Sequence, residues 1–218
     1  WLVGEMVRNG GNNAGHTLEV DGKKYEFHLL PCGMLRPGCK NVIGNGVVVH
    51  VPSLFKELAQ FPGDDSLDSL VISSRAHVLL DSHRVIDGIL EDEKAGKGGG
   101  GAIGTTKRGI GPCYASKANR NGLRFCDLMG DDATLVAKLK SIRAFQAAHY
   151  PGASAANVAD DDAELVALRG FRDRLAAHGS VRDTVTYLAD AVGTGAVVLA
   201  EGANAAMLDP DFGTYPYV

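Results

Sequence analysis

The sequence predicts an α/β protein with a largely parallel central sheet flanked by helices. Three observations support this class. Short apolar, β-branched runs such as residues 196–200 are typical of buried parallel strands. Longer stretches such as residues 162–178 repeat apolar side chains at helical spacing. Glycine makes up 28 of 218 residues, roughly twice the usual share of about 7%, which favours loops whose backbone lines a ligand over long helical bundles.

The composition argues against several classes of protein. With 45% hydrophobic residues the chain can bury a sizeable core, while a net charge of −4 and a pI near 6.0 argue against a protein that coats nucleic acid. The four cysteines are scattered without a C-x-x-C pair, so reduced cytosolic thiols fit better than a disulfide framework or a zinc site. No run of ~18 apolar residues predicts a membrane span. Because the chain begins with Trp1 and not with an initiator methionine, we expect an incomplete N-terminus.

The first half of the chain is predicted to alternate strands and helices. Residues 17–20 and 24–30 form a hairpin around the turn Asp21-Gly22, because Tyr25, Phe27 and Leu29 alternate onto one face. Glycines 44 and 46 interrupt a buried strand at residues 41–51, which indicates a bulge or a close approach by a ligand. The other predicted elements are a helix at 53–60 started by Pro52, strands at 70–73 and 78–80, and a helix at 82–94 whose inward face carries Val85, Ile86, Ile89 and Leu90.

The second half is predicted to be mostly helical. Helices are expected at residues 133–149, 162–178 and 181–192, with a loop at 151–161 whose last residues are acidic and suit a helix N-terminus. The strand at 196–200 runs directly into Glu201-Gly202-Ala203-Asn204. Because ligands in open α/β sheets sit at the carboxyl ends of strands, Asn204 is well placed to contact one.

A basic segment without acids stands between these halves. Residues 94–126 contain seven lysines and arginines and no aspartate or glutamate, so the remainder of the chain carries −11. Within it, residues 102–117 combine three glycines, paired threonines and a Lys-Arg pair. Glycine lets backbone N–H groups approach an anion, and segregated positive charge attracts phosphates. The alternative is a flexible, solvated basic loop, which fits residues 97–101 best.

A second loop, at residues 10–17, ends in His16 and Thr17 after glycines and asparagines. This pattern places an imidazole and a hydroxyl beside free backbone amides, which suits a group that stabilises charge developing on a phosphoryl or carbonyl oxygen. A plain connection, in which the glycines serve only the turn geometry, is the alternative.

Taken together, the motifs resemble adenylosuccinate synthetase, and the form with Asn204 and Phe212 resembles its eukaryotic members. They occur in that family's order as Gly11-Asn12-Asn13-Ala14-Gly15-His16-Thr17, Ile103-Gly104-Thr105-Thr106, Arg108-Gly109-Ile110-Gly111-Pro112, Glu201-Gly202-Ala203-Asn204 and Asp211-Phe212-Gly213-Thr214-Tyr215-Pro216. The resemblance implies a P-loop-NTPase-like fold and a cytoplasmic, homodimeric ligase of AMP biosynthesis. Such an enzyme joins IMP and L-aspartate with GTP and Mg²⁺. The γ-phosphate passes to O6 of IMP, and the aspartate amine then displaces it.

The resemblance also implies roles for particular residues. His16 is similar to the catalytic histidine that assists phosphoryl transfer, and Gly15 to the glycine whose carbonyl reaches Mg²⁺. Arg120 matches the arginine that reaches the IMP of the partner subunit. The remaining implied contacts are those to the GTP phosphates, Gly15, His16 and Thr17, and those to IMP, Asn13, Ala14, Gly15, His16, Thr106 and Asn204.

The departures from the family pattern concern both ends. No stretch matches the leading phosphate loop Gly-Asp-Glu-Gly-Lys-Gly-Lys, whose Asp is the family's catalytic base, and the motifs that bind aspartate and guanine are also missing. We therefore expect one domain over residues 1–218 that is an interior portion of a synthetase, inactive alone, with an apolar sheet edge exposed. Two alternatives stay open: a non-catalytic nucleotide-binding remnant, and a dimerisation module whose basic segment binds an acidic partner. Neither nucleic acid nor a membrane is expected as a partner.

Overall fold

A computed structural model describes residues 5–9, 11, 15–63, 65–96, 103–153, 162–202, 205–209 and 211–218. Strands and helices alternate along these ranges, as an α/β class requires. In chain order they are β1 (Glu5–Asn9), β2 (His16–Val20), β3 (Lys23–Phe27), β4 (Lys40–Ile43), β5 (Val48–Val49), α1 (Val51–Leu58), β6 (Leu70–Ser73), β7 (His77–Val78), α2 (Asp81–Gly96), α3 (Ile110–Asn119), β8 (Leu123–Arg124), α4 (Phe125–Leu128), α5 (Asp132–His149), α6 (Ala163–Ala177), β9 (Val181–Arg182), α7 (Thr184–Gly193) and β10 (Val198–Gly202).

The central sheet is parallel, as predicted. Of the described strands, five form it in the order β10-β1-β4-β6-β9, and every neighbouring pair is parallel. Val42 pairs with Val71 in the middle of the sheet, and both side chains are buried, which is typical of strands covered on both faces. At the β10 edge Leu199 is 45% exposed, so this edge strand presents apolar surface.

Two smaller sheets complete the strand pairing. β2 and β3 form the predicted antiparallel hairpin, with Asp21 at φ 51° and Gly22 at φ 74° in its two-residue turn. β5, β7 and β8 form a three-stranded sheet of mixed direction. The predicted single strand at 41–51 is therefore wrong: the chain leaves the central sheet after Ile43 and joins the small sheet at Val48, so Gly44-Asn45-Gly46 connects two sheets.

The main core packs helices against the central sheet. Leu165, Leu168 and Leu175 of α6 are buried in it, as the helical spacing predicted. The Phe171 ring stacks on Phe55 of α1 with 4.5 Å between centroids. Full burial of each large apolar side chain contributes about 1.5–3 kcal/mol, so this contact between helices stabilises the layer over the sheet.

Two local predictions are wrong, and one helix was not predicted. Residues 110–119, for which the sequence predicted no helix, form α3, because Pro112 is tolerated in a first helical turn and Cys113 packs against Val48. Residues 181–182 form strand β9 beside β6, and α7 begins only after Asp183, whose side chain accepts a hydrogen bond from the Val185 amide. On α2, Val85 was expected to face inward but is 45% exposed.

Two histidines are buried structural residues. Nδ1 of His83 accepts a hydrogen bond from the Leu80 amide (3.0 Å), and its Nε2 lies 3.2 Å from the Ser116 hydroxyl. Burial is the main reason that the pKa of His83, like that of His77, falls to about 4. Both rings are therefore neutral at pH 7.

Three further observations concern the described part of the chain. Cys32, Cys39, Cys113 and Cys126 form no disulfide there. None of the helices in the described ranges has the length and apolarity that crossing a membrane requires. The described residues also contain no group of three or more His, Cys, Asp and Glu side chains that could hold a metal ion.

Candidate functional site

The carboxyl ends of β1 and β10 lie side by side at one edge of the central sheet. The two strands are adjacent and parallel, and Asn9 is paired with Gly202. In the sequence, β1 is followed by the glycine–asparagine loop and β10 by Asn204. The pairing therefore brings together two strand ends that are about 190 positions apart in the chain, at the edge where ligands of open α/β sheets bind.

His16 begins β2 beside the end of β10. Its Nε2 is buried and lies 3.4 Å from Oε1 of Glu201, although the side chain as a whole is 31% exposed. Glu201 is held in turn by Cys32, whose amide donates to Oε2 (2.9 Å) and whose thiol donates to Oε1 (3.5 Å). The site therefore contains an imidazole, a carboxylate and a group that orients the carboxylate.

Close backbone approach explains two glycines of this loop. A Cβ atom on Gly15 would lie 2.5 Å from Nε2 of His28, and one on Gly11 would lie 2.6 Å from Cδ1 of Ile110. Side chains at either position would push the loop away from its neighbours. Gly15 therefore lies beside His28, just after β3, and Gly11 lies beside Ile110, the first residue of α3. Because Ile110 belongs to the basic segment, that segment is close to the glycine–asparagine loop.

Glu57 of α1 holds the segment against which Gly15 packs. Its buried carboxylate accepts hydrogen bonds from the Leu29 amide (3.1 Å to Oε1 and 3.0 Å to Oε2) and from the Leu30 amide (3.0 Å to Oε2). Nδ1 of His28 lies 3.8 Å from Oε1 of the same carboxylate. These backbone contacts satisfy the buried charge and set the position of the His28 ring beside the loop.

Carboxylates on α2 accept hydrogen bonds from backbone amides of the turn at residues 104–109. Asp87 accepts from the Gly109 amide (2.8 Å) and from the Thr105 hydroxyl (3.3 Å). Glu91 accepts from the amides of Gly104 (2.5 Å) and Thr105 (3.4 Å). The glycine turn does bind anions through its backbone, as its composition indicated, but the anions at these three amides are the protein's own side chains.

The positive charge of the basic segment is partly compensated by the same helix. Lys107 lies 2.6 Å from Oδ1 of Asp92, and this hydrogen bond raises the pKa of Lys107. Thr106, which follows the anchored Thr105, is exposed. The turn therefore presents its second threonine outward from a backbone that α2 holds in place.

A cavity of about 550 Å³ adjoins the site. Its lining includes His28, which contacts the loop at Gly15, and Arg108 of the basic segment. The lining combines four lysine and arginine side chains with two glutamates. The lining consists of Lys24, Glu26, His28, Ser53, Lys56, Glu57, Gln60, Arg84 and Arg108. Sequence reasoning missed Lys24, Lys56 and Arg84, because separated basic residues on a hairpin and two helices carry no motif.

The remaining predicted residues are distributed as follows. Thr17 is exposed on β2, next to His16. Arg120 is the exposed C-cap of α3 in a left-handed conformation (φ 61°), at the opposite end from Ile110. A ten-residue helix is about 15 Å long, so Arg120 lies about that far along α3 from Ile110, the residue beside Gly11. Asn13, Ala14 and Asn204 lie outside the described residues.

Fold and geometry together define a parallel α/β protein with a candidate ligand site at the carboxyl edge of its sheet. Comparison with known proteins identifies the family. The model of the adenylosuccinate synthetase family matches residues 5–218, and the chain belongs to that family. The resemblance seen in the motifs is thereby confirmed.

Individual relatives agree with this assignment. The adenylosuccinate synthetases of Drosophila willistoni and Drosophila melanogaster are 48% and 47% identical over 212 residues, which cover 96% of this chain and 45% of each relative. The fully ligated synthetase of Plasmodium falciparum superimposes with a TM-score of 0.84 at 41% identity, over 99% of this chain and 49% of that one. The succinoaminodeoxyadenylate synthetase of cyanophage S-2L has a TM-score of 0.55 at 25% identity. The chain thus spans about half the length of its relatives.

Proposed function

We propose that this chain contributes His16 and part of the IMP site to an adenylosuccinate synthetase. That enzyme ligates IMP and L-aspartate with GTP and releases GDP and phosphate. The observation that carries the proposal is the meeting of His16 and Glu201 at the carboxyl ends of β1 and β10, 3.4 Å apart. It occurs in a chain that is 48% identical to the Drosophila willistoni synthetase. We further propose one P-loop-NTPase-like domain and a cytoplasmic location.

His16 has the central role in this proposal. Its imidazole donates a proton toward the oxygen on which charge develops during phosphoryl transfer to O6 of IMP. Gly15 and Thr17, on either side of it, contact the GTP phosphates. The exposure of Gly15 and Thr17 supports this assignment, because phosphates approaching the carboxyl edge would meet them first.

The IMP contacts are proposed on both sides of the loop. Thr106 binds IMP with its hydroxyl, supported by its exposure on a turn that Asp87 and Glu91 anchor. Gly15 and His16 contact IMP from the other side. Asn13, Ala14 and Asn204 complete the proposed set.

The described residues could supply only part of a Mg²⁺ coordination shell. The described residues hold no cluster of acidic or imidazole ligands, and Mg²⁺ commonly keeps several waters and binds mainly through substrate phosphates. A backbone carbonyl at exposed Gly15 is an oxygen donor of the kind this ion accepts. When bound, the ion would neutralise phosphate charge, and Gly15 would be its ligand from this chain.

Arg120 is proposed to act across a homodimer interface. Its guanidinium belongs to an exposed residue at the far end of α3, about 15 Å along the helix from the His16 region. That placement suits contact with the IMP phosphate of a neighbouring subunit, because arginine binds phosphates through a planar, bidentate group.

The deciding experiment compares this chain alone with the same chain joined to the flanking segments of the Drosophila willistoni synthetase. With IMP, L-aspartate, GTP and Mg²⁺, we expect adenylosuccinate only from the joined protein, because the family's catalytic base lies in its leading phosphate loop. His16→Ala should lower kcat of the joined protein by about 10²–10⁴-fold. His149→Ala, on α5, is the matched control and should leave kcat unchanged.

Other outcomes would overturn the proposal in different ways. A joined protein that binds IMP without turnover would favour a nucleotide-binding remnant. Absence of any response to IMP would favour a dimerisation module. Adenylosuccinate made by the 218 residues alone would place the catalytic base inside this sequence.

A further inference from the structure

We infer that Glu201 is a positioning residue for His16: it fixes the tautomer of the imidazole and turns Nδ1 toward the ligand. The inference rests on the proposed function of His16. It is drawn from the geometry around Nε2, which lies 3.4 Å from Oε1 of Glu201.

Contacts other than that with the His16 ring hold Glu201 in place. Its backbone is in β10, paired with Arg8 of β1, so the sheet fixes the Cα position. The Cys32 amide donates to Oε2 (2.9 Å), and the Cys32 thiol donates to Oε1 (3.5 Å). The carboxylate is only 14% exposed, so little water competes with these donors. A carboxylate fixed at both oxygens can fix a neighbouring imidazole.

The buried edge of the His16 ring faces this carboxylate. Nε2 has no hydrogen bond of good geometry within the described ranges, and the separation from Oε1 is longer than a hydrogen bond to a charged group. Hydrogen bonds at catalytic residues are often long before the ligand binds and shorten afterwards. Because a carboxylate only accepts, the contact selects the tautomer that carries its proton on Nε2.

This arrangement assigns the proton movement to Nδ1. The side chain of His16 is 31% exposed although Nε2 is buried, so the exposed surface lies on its other atoms, and Nδ1 is the ring nitrogen not turned toward Glu201. In the imidazolium form, Nδ1–H donates its proton toward the oxygen that gains charge. The ring is then left neutral with Nε2–H facing Glu201, so no proton needs to pass through the carboxylate.

The neighbouring His28–Glu57 pair provides a contrast. Both oxygens of Glu57 accept amide hydrogen bonds from Leu29 or Leu30, and the ring of His28 is 3.8 Å away. The Glu57 carboxylate therefore holds the backbone at Leu29 and Leu30 in place. The carboxylate of Glu201, by contrast, lies closer to its imidazole: Oε1 is 3.4 Å from Nε2 of His16, against 3.8 Å between Glu57 and His28.

The first experiment uses the 218-residue chain itself, labelled with ¹⁵N. Long-range ¹H–¹⁵N NMR correlations of the His16 ring report which nitrogen carries the proton. We expect the Nε2–H tautomer in the unsubstituted chain and its loss in Glu201→Gln, which removes the charge but keeps an acceptor for the Cys32 amide. Glu19→Gln removes a charge from an exposed position on the same strand, β2, and should leave the His16 signals unchanged.

Results that contradict the inference are available even if Glu201→Gln does not fold. A dominant Nδ1–H tautomer in the unsubstituted chain would overturn it without any variant. An unchanged His16 spectrum in a folded Glu201→Gln chain would do the same. Glu201→Asp keeps the charge on a shorter side chain and should restore part of the tautomer preference.

The second experiment uses the joined enzyme described above. Glu201→Gln should lower kcat by about 10²-fold, the usual cost of misplacing a reacting group, with little change in the KM for IMP. Adding it to His16→Ala should cause no further loss, because residues that act as a unit are not additive. Normal kcat in Glu201→Gln would refute the positioning role. An inactive joined enzyme would instead refute the proposed function, and the NMR result would still decide the pairing.

Discussion

Asp87 is predicted to be essential for the stability of the turn that presents Thr106. Its carboxylate accepts the Gly109 amide at 2.8 Å and the Thr105 hydroxyl at 3.3 Å, and both Asp87 and Gly109 are buried. Asp87→Ala leaves the Gly109 amide without an acceptor in a place that solvent does not reach. The expected result is a less stable protein in which this turn opens first.

The size of the effect follows from these contacts. A hydrogen bond to a charged group contributes about 1.5–3 kcal/mol, and a buried donor left without a partner costs about 1–3 kcal/mol. We therefore expect the free energy of unfolding to fall by about 2 kcal/mol. Asp92→Ala is the matched control on the same helix: its side chain is 74% exposed, and its ion pair with Lys107 is screened by solvent, so its loss should change stability little.

The assay combines urea denaturation with amide hydrogen exchange. Asp87→Ala should lower the denaturation midpoint, and the amides of Gly104, Thr105 and Gly109 should lose protection before the core strands do. Asp92→Ala should change neither quantity measurably. Equal destabilisation by the two variants, or unchanged exchange at Gly109 in Asp87→Ala, would refute the argument that the turn is held by its internal carboxylate.

Three further predictions concern other positions. Gly109→Ala should cost at least about 2 kcal/mol by denaturation, because φ is 80° and the added Cβ would lie 2.8 Å from backbone atoms of His83 and Arg84, whereas Gly111→Ala, with open space, should cost much less. The depressed pKa of His83, about 4 against 6.5 unfolded, means that the unfolded chain takes up a proton first, so His83 alone should lower the free energy of unfolding by on the order of 3 kcal/mol from pH 6.5 to 4. His83→Gln should make the profile less steep, while His77, whose pKa is also about 4, keeps a slope of the same sign; an unchanged slope would contradict this prediction. Arg120→Leu in the joined enzyme should raise the KM for IMP more than that for GTP, and mixing with His16→Ala should restore activity if exchanging dimers share sites.

Local structure was largely determined by the sequence itself. The turn Asp21-Gly22 demands positive φ, and the alternation of Tyr25, Phe27 and Leu29 sets one face inward, so the hairpin could be predicted without any tertiary contact. The strand Leu70–Ser73 was predicted to the residue, because a short β-branched run between polar residues has few other uses. The pattern of five motifs was specific enough to indicate the family, which comparison confirmed.

Contacts between distant segments were decided only by the tertiary structure. Cys32 and Glu201 are 169 positions apart, and no periodicity links them to His16; the pairing of β1 with β10 does. Asp87 looked like an ordinary helix residue, because its role as the anion of the glycine turn depends on α2 lying beside that turn. Helix α3 was missed for the same reason: glycine and proline near its start indicate a loop, and the burial of Cys113 against Val48 stabilises a helix there instead. Helix and strand propensities depend on a few neighbouring residues. The site is assembled from distant side chains, which lie within a few ångströms of one another only once the sheet and its covering helices have formed.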